Sequence, residues 1–166
     1  MADIRIVSIT DLEGIWADWL LKPDNMLDET EELVNIVKVA LMTWGLAASD
    51  DIRPDPDSED RCGWWGDFEA ETIWDGWPIG AKLWLLSRSK IAPAESGDGS
   101  TLAMAEEYCR IALQPIIDKR ICSHIEVEAS RVGVQQINVS VKVYRGPTLQ
   151  IELRFQNLWD GIRQGD

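Results

Sequence analysis

The clearest hydrophobic pattern lies in the last third of the chain. Ile125, Val127 and Ala129 alternate with His124, Glu126 and Glu128. Ile137, Val139, Val141 and Val143 alternate with Asn138, Ser140, Lys142 and Tyr144. Leu149, Ile151, Leu153 and Phe155 alternate with Gln150, Glu152 and Arg154. A period of two puts each set on its own side of a strand. The interruptions at Ser130–Gly133 and Arg145–Thr148 are hairpin-sized. Together they predict a three-stranded antiparallel meander with one apolar face and one wet face.

Upstream the period changes to that of a helix. Leu33, Ile36, Val37, Ala40, Leu41 and Trp44 predict a helix over about 29–45, with Asp28 and Glu31 as a capping box and Gly45 as a stop. Val34, Val39 and Met42 make its other faces apolar, so it is expected to be largely buried. A second helix is expected over about 101–118, with Leu102, Ala105, Cys109, Ala112, Leu113 and Ile116 on one side. Pro115 predicts a kink or break near Gln114. Residues 3–8 alternate well enough for a short strand, while 14–22 have an ambiguous period. Residues 80–90 fit a helix or a buried strand, and their lack of β-branched residues favours a short helix. The expected fold is α+β: helices packed on one face of a mainly antiparallel sheet, as a single domain over 1–166.

Residues 46–80 interrupt this regularity. Pro54, Pro56, Pro78, Gly63, Gly66, Gly76 and Gly80 break regular structure. Ten carboxylates, from Asp50 to Asp75, share the stretch with Trp64, Trp65, Trp74 and Trp77. A loop this long is usually functional or disordered, and disordered segments are poor in aromatics. A functional, ordered loop is therefore expected.

Composition narrows the function. The chain has 166 residues, enough for one buried core, and a net charge of -13. Phosphate backbones and anionic membranes require basic surfaces, so neither is an expected partner. No apolar run approaches a bilayer span, and the N-terminus lacks a secretory pattern. Cys62, Cys109 and Cys122 are too few for a disulfide framework and suit a reducing cytoplasm. Nine tryptophans are the compositional anomaly.

The candidate chemistry is sparse. His124 is the single histidine and lies two residues from Cys122. This pair lacks the further ligands of a zinc site and the activation of a nucleophile. Asp55, Asp57 and Glu59 imitate the start of a calcium loop, but Asp60 stands where glycine is needed and Gly66 where glutamate is needed. At most they form a weak cation site. Neither a phosphate-binding loop nor a nucleophile elbow is present. Trp64 and Trp65 have three readings: a hydrophobic plug under the loop, an anchor between subunits, or a sugar-stacking platform. One indole can pack inward while the other faces a neighbour.

Three blocks carry a resemblance. Asp50-Asp51-Ile52-Arg53-Pro54, Asp60-Arg61-Cys62-Gly63-Trp64-Trp65-Gly66-Asp67 and Lys82-Leu83-Trp84-Leu85-Leu86-Ser87-Arg88-Ser89-Lys90 resemble the signature of phage Mu-type baseplate wedge proteins. The likeness covers about 30–159, and Cys62 replaces a basic residue usual in that family. That family is related to the smaller wedge proteins of T-even phages and to type VI secretion baseplate subunits. Those carry a Glu-Pro-Arg motif between the second helix and the first meander strand, where this chain reads Asp118-Lys119-Arg120-Ile121. The resemblance implies a structural, non-enzymatic subunit without cofactor or metal. It implies contacts with other wedge proteins and the tail sheath, the sheath starting by strand addition to a sheet edge. Asp118, Arg120, Trp64, Trp65, Arg53 and Arg61 are the candidate partner-binding residues. The implied location is the virion tail baseplate, assembled in the host cytoplasm. The competing expectations are a cell-wall glycosidase using loop carboxylates and a glycan-binding module using Trp64 or Trp65.

Overall fold

The computed structural model describes residues 6–11, 14–19, 32–73, 76, 78–89, 100–132 and 136–155. The chain divides into two compact units, residues 1–38 and 39–166. The first contains a β-hairpin, β1 (Ile6–Asp11) and β2 (Gly14–Trp19), paired from Ile6 with Trp19 to Asp11 with Gly14. Of the strand expected over 3–8, residues 3–5 lie outside the described residues and 6–8 are in β1, and the ambiguous segment is its partner. A two-residue connection fixes hairpin register, so β1 begins opposite the end of β2.

Helix α1 spans Glu32–Met42. The expected capping box at Asp28 and Glu31 lies outside the described residues. Leu33, Asn35, Val37, Ala40 and Leu41 are buried, whereas Val39 and Met42 are exposed. The helix is thus largely buried, as expected, with Val39 and Met42 the exceptions toward its C-terminal end. It also ends before Gly45. Trp44 leaves the helix to bridge Ala81, with the Gly45 N–H donating to Ala81 O at 3.0 Å and the Ala81 N–H donating to Thr43 O at 2.9 Å.

The long loop contains a 3-10 turn at Trp65–Glu69 and the short helix α2 (Ala70–Ile73). The segment read as a short helix is a 3-10 turn at Lys82–Leu86, with Leu83, Trp84, Leu85 and Leu86 buried. Helix α3 (Thr101–Asp118) starts at Ser100, whose Oγ accepts the Ala103 N–H at 3.2 Å. Ala105, Cys109, Ala112, Leu113 and Ile116 form its buried face. The helix continues through Pro115 to Asp118, so of the kink or break expected near Gln114 a break does not occur. Ile111, whose carbonyl loses the proline's missing donor, is exposed, and water can substitute there.

The meander forms as predicted: β3 (His124–Arg131), β4 (Ile137–Arg145) and β5 (Thr148–Phe155), antiparallel in the order β3-β4-β5. The register aligns Ile125 with Val143 and Ile151, Val127 with Val141 and Leu153, and Ala129 with Val139 and Phe155. These rows make the apolar face, and α3 packs on the sheet through β3. Glu126, Lys142 and Glu152 form a row on the other face, beside Glu128, Ser140 and Arg154. Burial is complete along β4 but only partial at Ile151, Leu153 and Phe155 of β5. At the opposite edge, Glu106 of α3 reaches the Ala129 N–H, which donates to its Oε1 at 2.9 Å. One amide of that sheet edge is thus capped by a helix carboxylate.

Candidate functional site

The tryptophan block stands on a support built by residues 43–51. Gly45 and Gly80 touch backbone to backbone: a Cβ on Gly45 would lie 2.9 Å from Gly80 O. The buried Trp84 indole donates from Nε1 to Gly45 O at 2.8 Å and stacks on Trp44 with centroids 6.3 Å apart. One residue pair further along, Ala47 N donates to Arg61 O at 3.0 Å and Arg61 Nε donates to Ala47 O at 2.7 Å. These bonds clasp the two ends of an arc that runs over residues 48–60.

Asp51 ties this arc to the Lys82 turn. Its Oδ2 accepts the Ala48 N–H and Lys82 Nζ, each at 2.7 Å. Burial works against the charged carboxylate, but the Lys82 and Ala48 bonds and the Arg61 charge outweigh it, so its pKa falls below the ordinary value. Asp51→Asn is expected to destabilise the chain by about 2 kcal/mol at neutral pH, through loss of charge-assisted bonds. A carboxyl with a lowered native pKa stabilises above the unfolded value of about 4 and loses that contribution as pH falls through the native one. The gap between wild type and variant should therefore narrow below about pH 4 in melting curves. A gap that stays constant into acid would remove the carboxylate's charge from this account.

Backbone geometry sets the direction of the tryptophans. Asp60 Oδ1 accepts the Cys62 N–H at 2.8 Å, and the chain turns through left-handed conformations at Cys62 (φ 50°) and Gly63 (φ 100°). Gly63 lies on Leu46, where an added Cβ would meet that side chain at 3.0 Å. Gly66 is covered by the Trp64 ring, which an added Cβ would meet at 2.2 Å. Asp67 Oδ1 accepts the Ile79 N–H at 2.9 Å and holds the far side of the turn. Trp64 is half-buried and Trp65 is 80% exposed, with ring centroids 5.2 Å apart and planes at 49°. The two indoles thus divide between a packing position and an outward one.

Of the remaining predicted contacts, Arg61 is exposed and committed through Nε to Ala47, and Arg53 is half-buried in the loop. Asp118 and Arg120 are both exposed at the corner after α3. Asp118 Oδ1 accepts Gln114 Nε2 at 2.8 Å, and Arg120 sits in a left-handed conformation (φ 57°). The corner is fastened to the β4–β5 hairpin: Arg145 Nε donates to Ile121 O at 3.1 Å, and Gly146 N donates to Ser123 Oγ at 2.8 Å. Asp51, Lys82, Trp84, Glu106 and Ser123 were not singled out individually from the sequence. Asp51, Lys82 and Trp84 lie within the matching blocks, but nothing in a linear pattern reveals partners so far apart.

Cys122 is buried while His124 is exposed, so they do not offer one ligand face. His124 instead lies beside Tyr144, whose hydroxyl donates to Glu126 Oε2 at 3.0 Å. Among the described residues, no group of three His, Cys, Asp or Glu side chains is placed to hold a metal ion. Burial pushes the Cys109 thiol up to about 12, far from a reactive thiolate. No helix among the described residues is long and apolar enough to cross a membrane.

Comparison with known proteins gives the family. The family model described as Phage protein GP46 matches residues 33–148. The chain is 35% identical over 160 residues to "Baseplate protein gp46" of Escherichia phage Mu, covering 93% of this chain and all of that protein. It is 30% identical over 152 residues to "Mu-like prophage FluMu protein gp46" of Haemophilus influenzae, covering 88% of this chain and 96% of that one. The family match contains the tryptophan block, its support, α3 and most of the meander, and on that ground the chain belongs to the phage protein GP46 family.

Proposed function

We propose that the chain is a structural, non-enzymatic component of a contractile tail baseplate, located in the virion tail and assembled in the host cytoplasm. The observation that carries this reading is its match, over 93% of its length, to the phage Mu baseplate protein. Within the baseplate we assign it a wedge position next to the start of the tail sheath. Asp118 and Arg120 at the fastened corner, with Arg53, Arg61, Trp64 and Trp65 on the loop, contact neighbouring wedge proteins. The sheath starts by adding a strand to β5.

The shape of the sheet supports that choice of edge. Strand β5 carries no outer partner among the described residues, and its apolar side chains are only half-covered. A strand added there would supply backbone hydrogen bonds and complete the rows led by Ile151, Leu153 and Phe155. On the β3 side, Glu106 already occupies the Ala129 N–H. Hydrogen exchange tests the assignment. On mixing with sheath subunit, β5 amides are expected to slow by about tenfold or more while β3 amides change little. Sheath binding without protection of β5 would overturn strand addition.

A further inference from the structure

We infer that the exposed Trp65 indole anchors an interface with a basic segment of another baseplate protein, an inference that rests on the assembly role proposed above. Tryptophan is normally well buried. Here a defined turn holds one outward, backed by the Trp64 ring packed over Gly66. Further apolar surface stays open at the end of α1 and on the supporting segment: Met42 is 51%, Trp44 42% and Leu46 45% exposed. Leu46 lies directly against Gly63, two residues from Trp65, so the loop and its support present apolar surface together. An exposed aromatic centre of this kind is the usual composition of an interface hot spot.

Charge selects the partner. Residues 50–69 contain eight carboxylates against two arginines. Asp50, Asp55, Asp57, Glu59, Asp60 and Glu69 are all exposed, while Arg61 is tied to Ala47 and Arg53 is half-buried. An exposed indole on so acidic a loop is complementary to an apolar or cationic group within a basic segment. An arginine laid on the indole face adds a cation–π contact. A second copy of this chain would set like charge against like across a two-fold pair. Nucleic acid and anionic lipid are repelled for the same reason. The occupant is therefore a lysine- or arginine-rich stretch of a different protein.

The test uses assembled particles. A photoreactive p-benzoylphenylalanine is placed at position 65, or at position 150 in β5 as a control. The expected adduct at 65 joins one segment of another tail protein that carries a net positive charge. A synthetic peptide of that segment should bind the purified chain with a change in tryptophan emission. Its affinity should fall about tenfold between low and moderate salt, and by a similar factor in the triple variant Asp50→Asn, Asp57→Asn, Glu59→Gln. Trp65→Ala should abolish the binding while leaving the melting temperature unchanged. An adduct to an acidic or neutral segment, an adduct to a second copy, or silence at 65 while 150 reacts would overturn the inference and leave the assembly role standing. Absence of the chain from particles would overturn both.

Discussion

Trp84→Ala should lower the stability of the chain by about 3–5 kcal/mol, the usual loss when a buried large aromatic is truncated. For a chain of this size that corresponds to a melting temperature lower by about 10 °C or more. Three losses coincide. The indole is buried in the 3-10 turn beneath the loop, its ring stacks on Trp44, and its N–H is the donor for Gly45 O. Removing it opens a cavity and strands a buried carbonyl. Trp84→Phe separates the contributions, because it restores most of the apolar volume without the donor. Thermal unfolding should place it between wild type and alanine, about 1–3 kcal/mol below wild type. If phenylalanine matched wild type, the bond to Gly45 would have no energetic role.

Gly80→Ala should be comparably damaging, for a reason that lies in the backbone. Gly80 has φ 115°, and an added Cβ would stand 2.7 Å from Gly45 N and 2.8 Å from Thr43 O. Backbone atoms cannot rotate away as a side chain can. The methyl would have to push apart the strand-like bridge that carries the Gly45 and Ala81 hydrogen bonds. Conformational strain and overpacking each cost about 1–3 kcal/mol, so about 3–5 kcal/mol is expected in total. Gly76→Ala provides the control. Gly76 also has positive φ, 73°, but nothing lies within 4 Å of the added Cβ. Only the strain remains, so Gly76→Ala should cost about 1–2 kcal/mol. Equal melting temperatures for the two variants would show that the contact with residues 43–45 is not tight in solution.

The features that the sequence revealed and those it concealed differ in range. Alternation alone located the meander, because each strand repeats its period over seven residues or more and the hairpins are short. The helix ending at Asp118 was legible from its apolar face, and Pro115 does not break it, since the proline removes a donor only toward the exposed Ile111. Val39 and Met42 were read as buried because apolar identity does not say whether a neighbour covers a face. Gly45 was read as a helix stop, although its lack of a side chain serves the contact with Gly80. The support of the tryptophan block was hidden for a related reason. Asp51 reaches Lys82 across 31 positions and Trp84 reaches Gly45 across 39, and no local periodicity encodes such pairs. Trp64 and Trp65 were recognisable as a pair, but only the turn geometry shows which one faces outward.

The Glu106 cap on Ala129 has a consequence for the protein before it joins any particle. A sheet with two open sides is bivalent: each copy can accept one neighbour and offer a place to the next, and stacking has no natural end. With the Ala129 amide of the β3 side already taken by its own helix, an incoming strand finds an incomplete ladder there and a complete one at β5. Stacking of free copies through both sides would first have to break that bond. The cap thus works against fibre growth along the hydrogen-bonding direction of the meander before the partners arrive.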